Sequence, residues 1–221
     1  FYVPKLPPDL AGIFFSEGVA CDIRLDYVDP DNGKNMLHYG IDSKYYETIQ
    51  MILDSKRMNA DQVDRDGNTP FMEYCLQFLQ NVKHNIKTFH VYLYHDDVNV
   101  KVTSGDGRRP MEVLLRAVQR IITKGLAIDI PNKIKAVAML LTLEQVEKTK
   151  DDIKYICENR KNHFVKLVLR NASEIDEDYI DDLIKKCRRA EKAAAKTASA
   201  ETKKNERHNS RRARNRRTRR N

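Results

Sequence analysis

The chain has 221 residues, of which 41% are hydrophobic and 33% charged, and its net charge is +8. This length allows one domain with a sizeable core plus a tail. No apolar run approaches the roughly 18 to 20 residues of a membrane-spanning helix. The N-terminus lacks the basic and then apolar layout of a signal peptide, and the chain starts at Phe1. We therefore expect a processed chain, or a piece of a longer protein, that has no contact with a membrane.

The charge is unevenly distributed. Residues 185–221 contain 16 Lys and Arg against 3 acidic residues, whereas residues 1–184 contain 24 basic and 29 acidic residues. The body is thus mildly acidic and the C-terminal end carries the basicity. The two parts are interpreted separately.

The four cysteines, Cys21, Cys75, Cys157 and Cys187, are far apart and form no Cys-x-x-Cys motif. Three of them lie in apolar helical patterns. The favoured interpretation is reduced, buried thiols in an intracellular protein of the nucleus or cytoplasm. Disulfides or a zinc site are the less favoured alternatives.

Residues 1–28 contain Pro4, Pro7 and Pro8 among scattered apolar residues. These prolines disfavour a long helix through the first ten residues. We expect an irregular N-terminal segment here. It is either a cap over the helices that follow or the remainder of an earlier repeat.

A turn followed by a helical pattern occurs three times in residues 29–142. At Gly67, the turn leads to Thr69, an N-cap candidate, and to Pro70, which suits the first position of a helix. Related turns lie at Gly33 and Gly107, which are 34 residues before and 40 residues after Gly67. A second apolar helix is predicted in each unit, at residues 49–53, 89–93 and 136–141.

This arrangement resembles the ankyrin repeat, whose period is about 33 residues. Phe71 and Met72 replace the leucine and histidine of the family's opening motif, and His38 lies at the histidine position in the first unit. The resemblance implies an all-α fold, a short ankyrin-like helical solenoid with an irregular N-terminal cap and a basic C-terminal tail. It also implies a hydrogen-bonding role for His38.

Two departures from the family pattern predict local differences. Tyr74 stands where the family has a small residue, so we expect irregular stacking or a shifted helix in the second unit. Arg109 replaces the threonine before the helix of the third unit, so the family's hydrogen bonds should be partly absent there.

From the resemblance we expect a non-catalytic module for protein–protein interaction, of the kind found in nuclear regulatory proteins. The turn tips and the surfaces of the first helices would bind a protein partner. The predicted partner-binding residues are Lys34, Arg65, Asn68, Glu73 and Arg108.

Residues 143–200 are predicted to be closing helices. Thr142 and the residues up to Gln145 fit a capping box, which predicts a helix start at Thr142. Another apolar helix is predicted around residues 164–169. A last helix should begin near Ser173 or Glu174 and can continue through the alanine-rich segment after Ala190.

The final segment, residues 201–221, has no apolar residue larger than alanine and is predicted to be disordered when alone. Seven of the ten residues from Arg211 to Arg220 are arginine. Guanidinium groups pair with phosphates, so the segment predicts RNA or DNA binding, or recognition by an import receptor. This gives the alternative function, a nucleic-acid-associated protein that acts through its tail. The predicted nucleic-acid-binding residues are Lys203, Lys204, Arg207, Arg211, Arg212, Arg214, Arg216, Arg217, Arg219 and Arg220.

The sequence contains no P-loop, no Rossmann glycine motif, no Gly-x-Ser-x-Gly and no His-Glu-x-x-His. His90 and His95, with Asp96 and Asp97, are close enough in sequence to suggest a metal or acid–base cluster. We favour a helix end with solvated charges, because a metal site needs converging ligands. We therefore expect no enzyme activity, no cofactor and no metal.

Overall fold

In a computed structural model, the described residues are 5, 7–15, 26–41, 45–79, 85–124 and 130–218, without the side chains of 12–15, 198 and 200–218. These residues form an all-α structure, as predicted, with one isolated bridge between Val28 and Asn35. None of their helices is long and apolar enough to cross a membrane. The helices are α1 Pro8–Phe15, α2 Met36–Tyr39, α3 Tyr46–Asp54, α4 Pro70–Gln77, α5 Ile86–Tyr94, α6 Pro110–Lys124, α7 Ile130–Thr142, α8 Lys150–Asn159, α9 His163–Ser173 and α10 Glu177–Thr218.

Contacts between the helices follow an alternating order. The even-numbered helices contact one another in sequence, from α2 through α4, α6 and α8 to α10. The odd-numbered helices do the same from α1 through α3, α5 and α7 to α9. The two sets pack together through α4 with α5, α6 with α7 and α9 with α10.

The N-terminal helix α1 occupies the place of an odd-numbered helix, because it contacts α3 as α3 contacts α5. It begins at Pro8, where a missing N–H has no cost. Whether the segment is a cap or the remainder of an earlier repeat stays a prediction. Residues 1–4, 6 and 16–25 of the predicted segment lie outside the described residues.

Helix starts follow the local capping signals. Thr69 accepts a hydrogen bond from the Met72 N–H at 3.2 Å, and Pro70 is the first residue of α4, which confirms both predictions. The predicted start at Thr142 is wrong, since Thr142 is the last residue of α7 and its hydroxyl donates to the Ala138 carbonyl at 3.2 Å. The apolar pattern before Thr142 continues the helix through it. The capping box forms instead at Thr149.

An aromatic cluster fills the space between α4 and α5. Tyr74 is fully buried, and its ring centroid lies 5.5–6.0 Å from those of Phe78, Phe89 and Tyr92. The Tyr74 hydroxyl donates to the Asn85 carbonyl at 2.6 Å. The bulky residue is therefore accommodated by large neighbours.

The prediction of reduced thiols is wrong for two cysteines, because Cys157 of α8 and Cys187 of α10 form a disulfide. Their sequence separation of 30 residues gave no sign of the pairing, which depends on how the two helices face each other. Cys75 is a buried free thiol, as predicted, and burial raises its pKa. Cys21 lies outside the described residues.

The last helix differs from the prediction at both ends. It begins at Glu177, where the Asp176 carboxylate accepts from the Tyr179 N–H at 3.0 Å, rather than at Ser173 or Glu174. It extends to Thr218, across most of the segment predicted to be disordered. Adding residues to an alanine-rich helix costs less than starting a new helix, which accounts for the extension. Residues 219–221 lie outside the described part.

Candidate functional site at the turn tips

Three turns, which we call the turn tips, precede α2, α4 and α6 at residues 29–34, 64–68 and 104–108. In each, the glycine at Gly33, Gly67 or Gly107 has a positive φ of 74–81°. The first side chain closes the turn: a carboxylate oxygen of Asp64 accepts from the Asn68 N–H at 2.8 Å. The Ser104 hydroxyl oxygen accepts from the Arg108 N–H at 3.0 Å in the same way. The second and third turns thus share one local geometry, whereas the first is one residue longer and its Lys34 N–H donates to the side-chain oxygen of Asn32 at 2.8 Å.

Adjacent turn tips touch through their backbones. The Arg65 N–H donates to the Asn32 carbonyl at 2.8 Å. A Cβ placed on Gly105 would lie 1.8 Å from the Asp66 carbonyl oxygen, which leaves no room for a side chain. The turn tips therefore form a continuous row with fixed spacing.

Asn68 joins three units. Its side-chain oxygen accepts from the Gly105 N–H at 3.2 Å, and its backbone carbonyl lies 3.1 Å from Nε2 of His38. A carbonyl oxygen only accepts, so Nε2 of His38 carries the proton. His38 is buried, and burial lowers its pKa. The predicted hydrogen-bonding role of His38 is confirmed, whereas Asn68 acts as an internal link.

Lys34 and Glu73 form an ion pair between the first turn tip and α4. Nζ of Lys34 lies 2.6 Å from Oε1 of Glu73 and 3.9 Å from Oδ2 of Asp64. Burial, together with the neighbouring Asp64 carboxylate, raises the pKa of Glu73, although Lys34 lowers it. Burial lowers the pKa of the Lys34 ammonium, yet the hydrogen bond that it donates to Glu73 and the nearby negative charges raise this pKa overall. Both predicted binding residues are thus engaged within the protein.

The same place holds ligand atoms suited to a metal ion. Such atoms of His38, Asp64 and Glu73 lie within 4.8 Å of one another. The ammonium group of Lys34, however, already contacts both carboxylates. A metal ion could enter only if Lys34 moved away, so the cluster is occupied by the protein's own cation.

Arg65 and Arg108 are the predicted partner-binding residues that remain at the surface. Arg65 is exposed and donates from its guanidinium to the Pro30 carbonyl at 2.7 Å. Arg108 is partly exposed, and its Nε donates to Oδ1 of Asp106 at 2.9 Å. Hydrogen bonds to Arg108 and Ser104 hold the pKa of Asp106 far below its usual value. Two arginines with fixed orientation therefore lie on the row of turn tips.

Arg109 makes contacts that the sequence did not reveal. Its guanidinium donates to Oδ2 of Asp152 at 2.8 Å and to the Thr149 hydroxyl at 3.3 Å. It thereby links the third turn tip to the N-terminus of α8. The one sequence feature that pointed to Arg109 was its position before α6, which is equivalent to the position of Thr69 before α4.

The second predicted site lies at the C-terminal end. The backbone of residues 201–218 is part of α10. This helix carries Lys203, Lys204, Arg207, Arg211, Arg212, Arg214, Arg216 and Arg217, whose side chains are outside the described part, while Arg219 and Arg220 lie outside it entirely.

His90, in the last turns of α5, and His95, directly after it, do not converge on one point. Nε2 of His95 lies 3.1 Å from a carboxylate oxygen of Asp54, whereas the ring of His90 packs against Tyr94 at 4.5 Å. Neither belongs to the metal-type cluster found among the described residues. The His95 side chain is only 9% exposed, so it is not a solvated group as predicted.

Comparison with protein-family models found no matching model, and comparisons with curated proteins and with solved structures found no match.

Proposed function

We propose that the chain is an ankyrin-like module that binds a protein partner through its turn tips and the exposed surfaces of its even-numbered helices. The main support is the pair of hydrogen bonds made by Asn68. One joins it to His38 of the preceding unit, and the other joins it to Gly105 of the following unit. Such bonds set successive units at a regular spacing, as in a stacked repeat. The alternating order of helix contacts supports the same arrangement.

The five predicted binding residues have different roles in this proposal. Lys34, Asn68 and Glu73 hold neighbouring units together. Arg65 and Arg108 offer guanidinium groups at the surface, and arginine is enriched where proteins bind proteins. The expected partner surface is therefore acidic or rich in carbonyl acceptors.

Affinity capture from a cell lysate tests the proposal. The baits are the full chain, a tip variant with Arg65→Glu and Arg108→Glu, and a control variant with Arg57→Glu and Lys135→Glu. Arg57 and Lys135 are also exposed and belong to none of the three turn tips. We expect protein partners that survive nuclease treatment, that the control variant retains and that the tip variant loses. Partners that nuclease removes, or that the tip variant retains equally, would contradict the proposal.

A second function is favoured by one observation, the continuation of α10 from the packed body to Thr218. The continuous helix would project the arginines of residues 211–217 from a fixed base. Arginine-rich segments bind RNA and become ordered on contact with it. In this second proposal the chain associates with nucleic acid through its C-terminal end.

A further inference from the structure

A groove between α9 and α10 combines an apolar floor with a basic rim. Leu169 and Ile180 are buried in its floor, and the partly buried Ile184 lies beside them. The basic residues that line the groove are Arg160, Lys161, Lys166, Arg170 and Arg188, against the acidic Glu177 and Asp181. The groove therefore carries an excess of positive charge on an acidic body.

Part of this charge is neutralised within the protein. Glu191 of α10 pairs with Arg160, and its Oε1 lies 3.5 Å from Nζ of Lys161. These contacts keep the pKa of Glu191 below its usual value, which shows that this rim attracts an anionic oxygen.

Three basic side chains of the rim remain available to bind a ligand. Lys166 and Arg188 are exposed and form no ion pair with a described side chain. Arg170 is also exposed, and its ionic neighbour among the described residues, Glu174, is 3.9 Å away. These three residues are the ones that can contact a ligand.

The position of Arg188 joins the groove to the rest of α10. The preceding residue, Cys187, is bonded to Cys157 of α8, so that this turn of α10 is fixed on the body. Lys192 and Lys196 follow Arg188 at intervals of four residues and are exposed. Residues four apart lie on the same side of a helix, about 6 Å apart along its axis. A row of cations thus leads from the groove toward the arginine-rich segment.

We propose that this groove binds the phosphate backbone of a single-stranded nucleic acid whose neighbouring part contacts the arginine-rich end of α10. The inference rests on the second proposed function and adds a folded binding site to it. Nucleic acid is favoured over an acidic protein because the cations form a line, as the phosphates of a strand do, and continue into an arginine-rich segment. The partly exposed Ile184 of the floor would lie against a base or ribose.

The test uses three variants of the full chain. The groove variant carries Lys166→Gln, Arg170→Gln and Arg188→Gln. The control variant carries Arg57→Gln, Lys101→Gln and Lys135→Gln, which remove the same charge from exposed positions outside the groove. The tail variant carries Arg211→Gln, Arg212→Gln, Arg214→Gln, Arg216→Gln and Arg217→Gln. Thermal unfolding first verifies that all three remain folded.

Fluorescence anisotropy with a labelled 20-nucleotide single-stranded RNA measures affinity as KCl is varied. We expect the groove variant to bind about tenfold more weakly than the control variant. The slope of log K against log salt concentration should be less steep by about 2 for the groove variant than for the control variant. Each lost phosphate contact removes about 0.7 from this slope.

Three results would overturn the inference. If the groove variant binds like the control while the tail variant is weakened, only the arginine-rich segment binds nucleic acid. If the unaltered chain does not bind RNA, both the groove and the second proposed function fail. If polyglutamate binds as tightly as RNA and with the same loss in the groove variant, the ligand is an acidic protein segment.

Discussion

At the scale of single residues, the structure depends on polar side chains that join one turn to the next. Asn68 and His38 form such a link, and Lys34 with Glu73 forms another. Each bond satisfies a group that is buried or half-buried, where an unpaired polar atom is costly. These residues are therefore expected to affect stability more than their turn positions suggest.

The stability of the protein should depend on the protonation of His38. Burial lowers the pKa of His38 below its usual 6.5. Its contribution to stability is then fully present above about pH 6.5 and is lost as pH falls through the lower pKa of the folded state. We expect His38→Gln, which can keep the bond to Asn68, to reduce the loss of stability between pH 7 and pH 5 relative to the unaltered chain.

Urea unfolding at several pH values measures this difference directly. Other groups titrate in both proteins and cancel in the comparison. An identical pH dependence in the two proteins would show that His38 has the same pKa folded and unfolded.

At the scale of helices and turns, the sequence predicted those features that depend on residues close together in the chain. The start of α4 was predictable because Thr69 and Pro70 act on their own helix. Tyr74 was expected to disturb the packing, yet Phe78, Phe89 and Tyr92 supply matching volume around it. That match depends on side chains from two helices and cannot be inferred from one position.

For the residues of the candidate site, the sequence predicted the location in the fold but not the contacts. Equivalence with the turn at Gly67 indicated that Lys34, Asn68 and Glu73 lie near the turn tips. It gave no sign that they contact other parts of the chain, because a pair such as Lys34 and Glu73 is 39 residues apart in sequence. Arg65 and Arg108 lie at or near the surface, as their turn positions suggested, but their role in partner binding stays a prediction.

The contact between the second and third turn tips can be tested at Gly105. In Gly105→Ala the added Cβ would collide with the Asp66 carbonyl oxygen, so the turns must separate. We expect the free energy of unfolding to fall by about 1–3 kcal/mol, as in other overpacked sites. Amide hydrogen exchange at Asp66 and Gly67 should become faster.

Gly107→Ala is the matched control. It also adds a methyl group to a tip glycine, but nothing lies within 4 Å of the new atom, and its φ of +81° causes strain only within its own turn. It should destabilise the protein without faster exchange at Asp66 and Gly67. If Gly105→Ala leaves stability unchanged or increases it, the two turns are not in contact.

At the scale of the whole molecule, one covalent bond fastens α10 to the body. The Cys157–Cys187 disulfide lies between α8 and α10, and the pair of Arg160 with Glu191 acts on the same two helices. Arg109 links α8 in turn to the third turn tip. The basic end of the chain is thereby connected to the row of turn tips.

Removal of this disulfide should destabilise the protein. A loop closed over a separation of 30 residues contributes about 3–4 kcal/mol in the chain-entropy description. We expect a lower melting temperature for Cys157→Ser, and a similar decrease when the unaltered chain is treated with a thiol reductant. The reductant should have little effect on Cys157→Ser. Labelling of all four thiols in the denatured, unreduced chain would contradict the presence of the bond.

The central claim, that a protein partner binds to the turn tips, is tested most directly by hydrogen exchange of the full chain with and without a nuclease-resistant captured partner. The account predicts slower exchange of amides at residues 64–68 and 104–108 and in α4 and α6. Protection confined to α3, α5 and α7, or to residues 201–218, would place the partner on a different surface and contradict the claim.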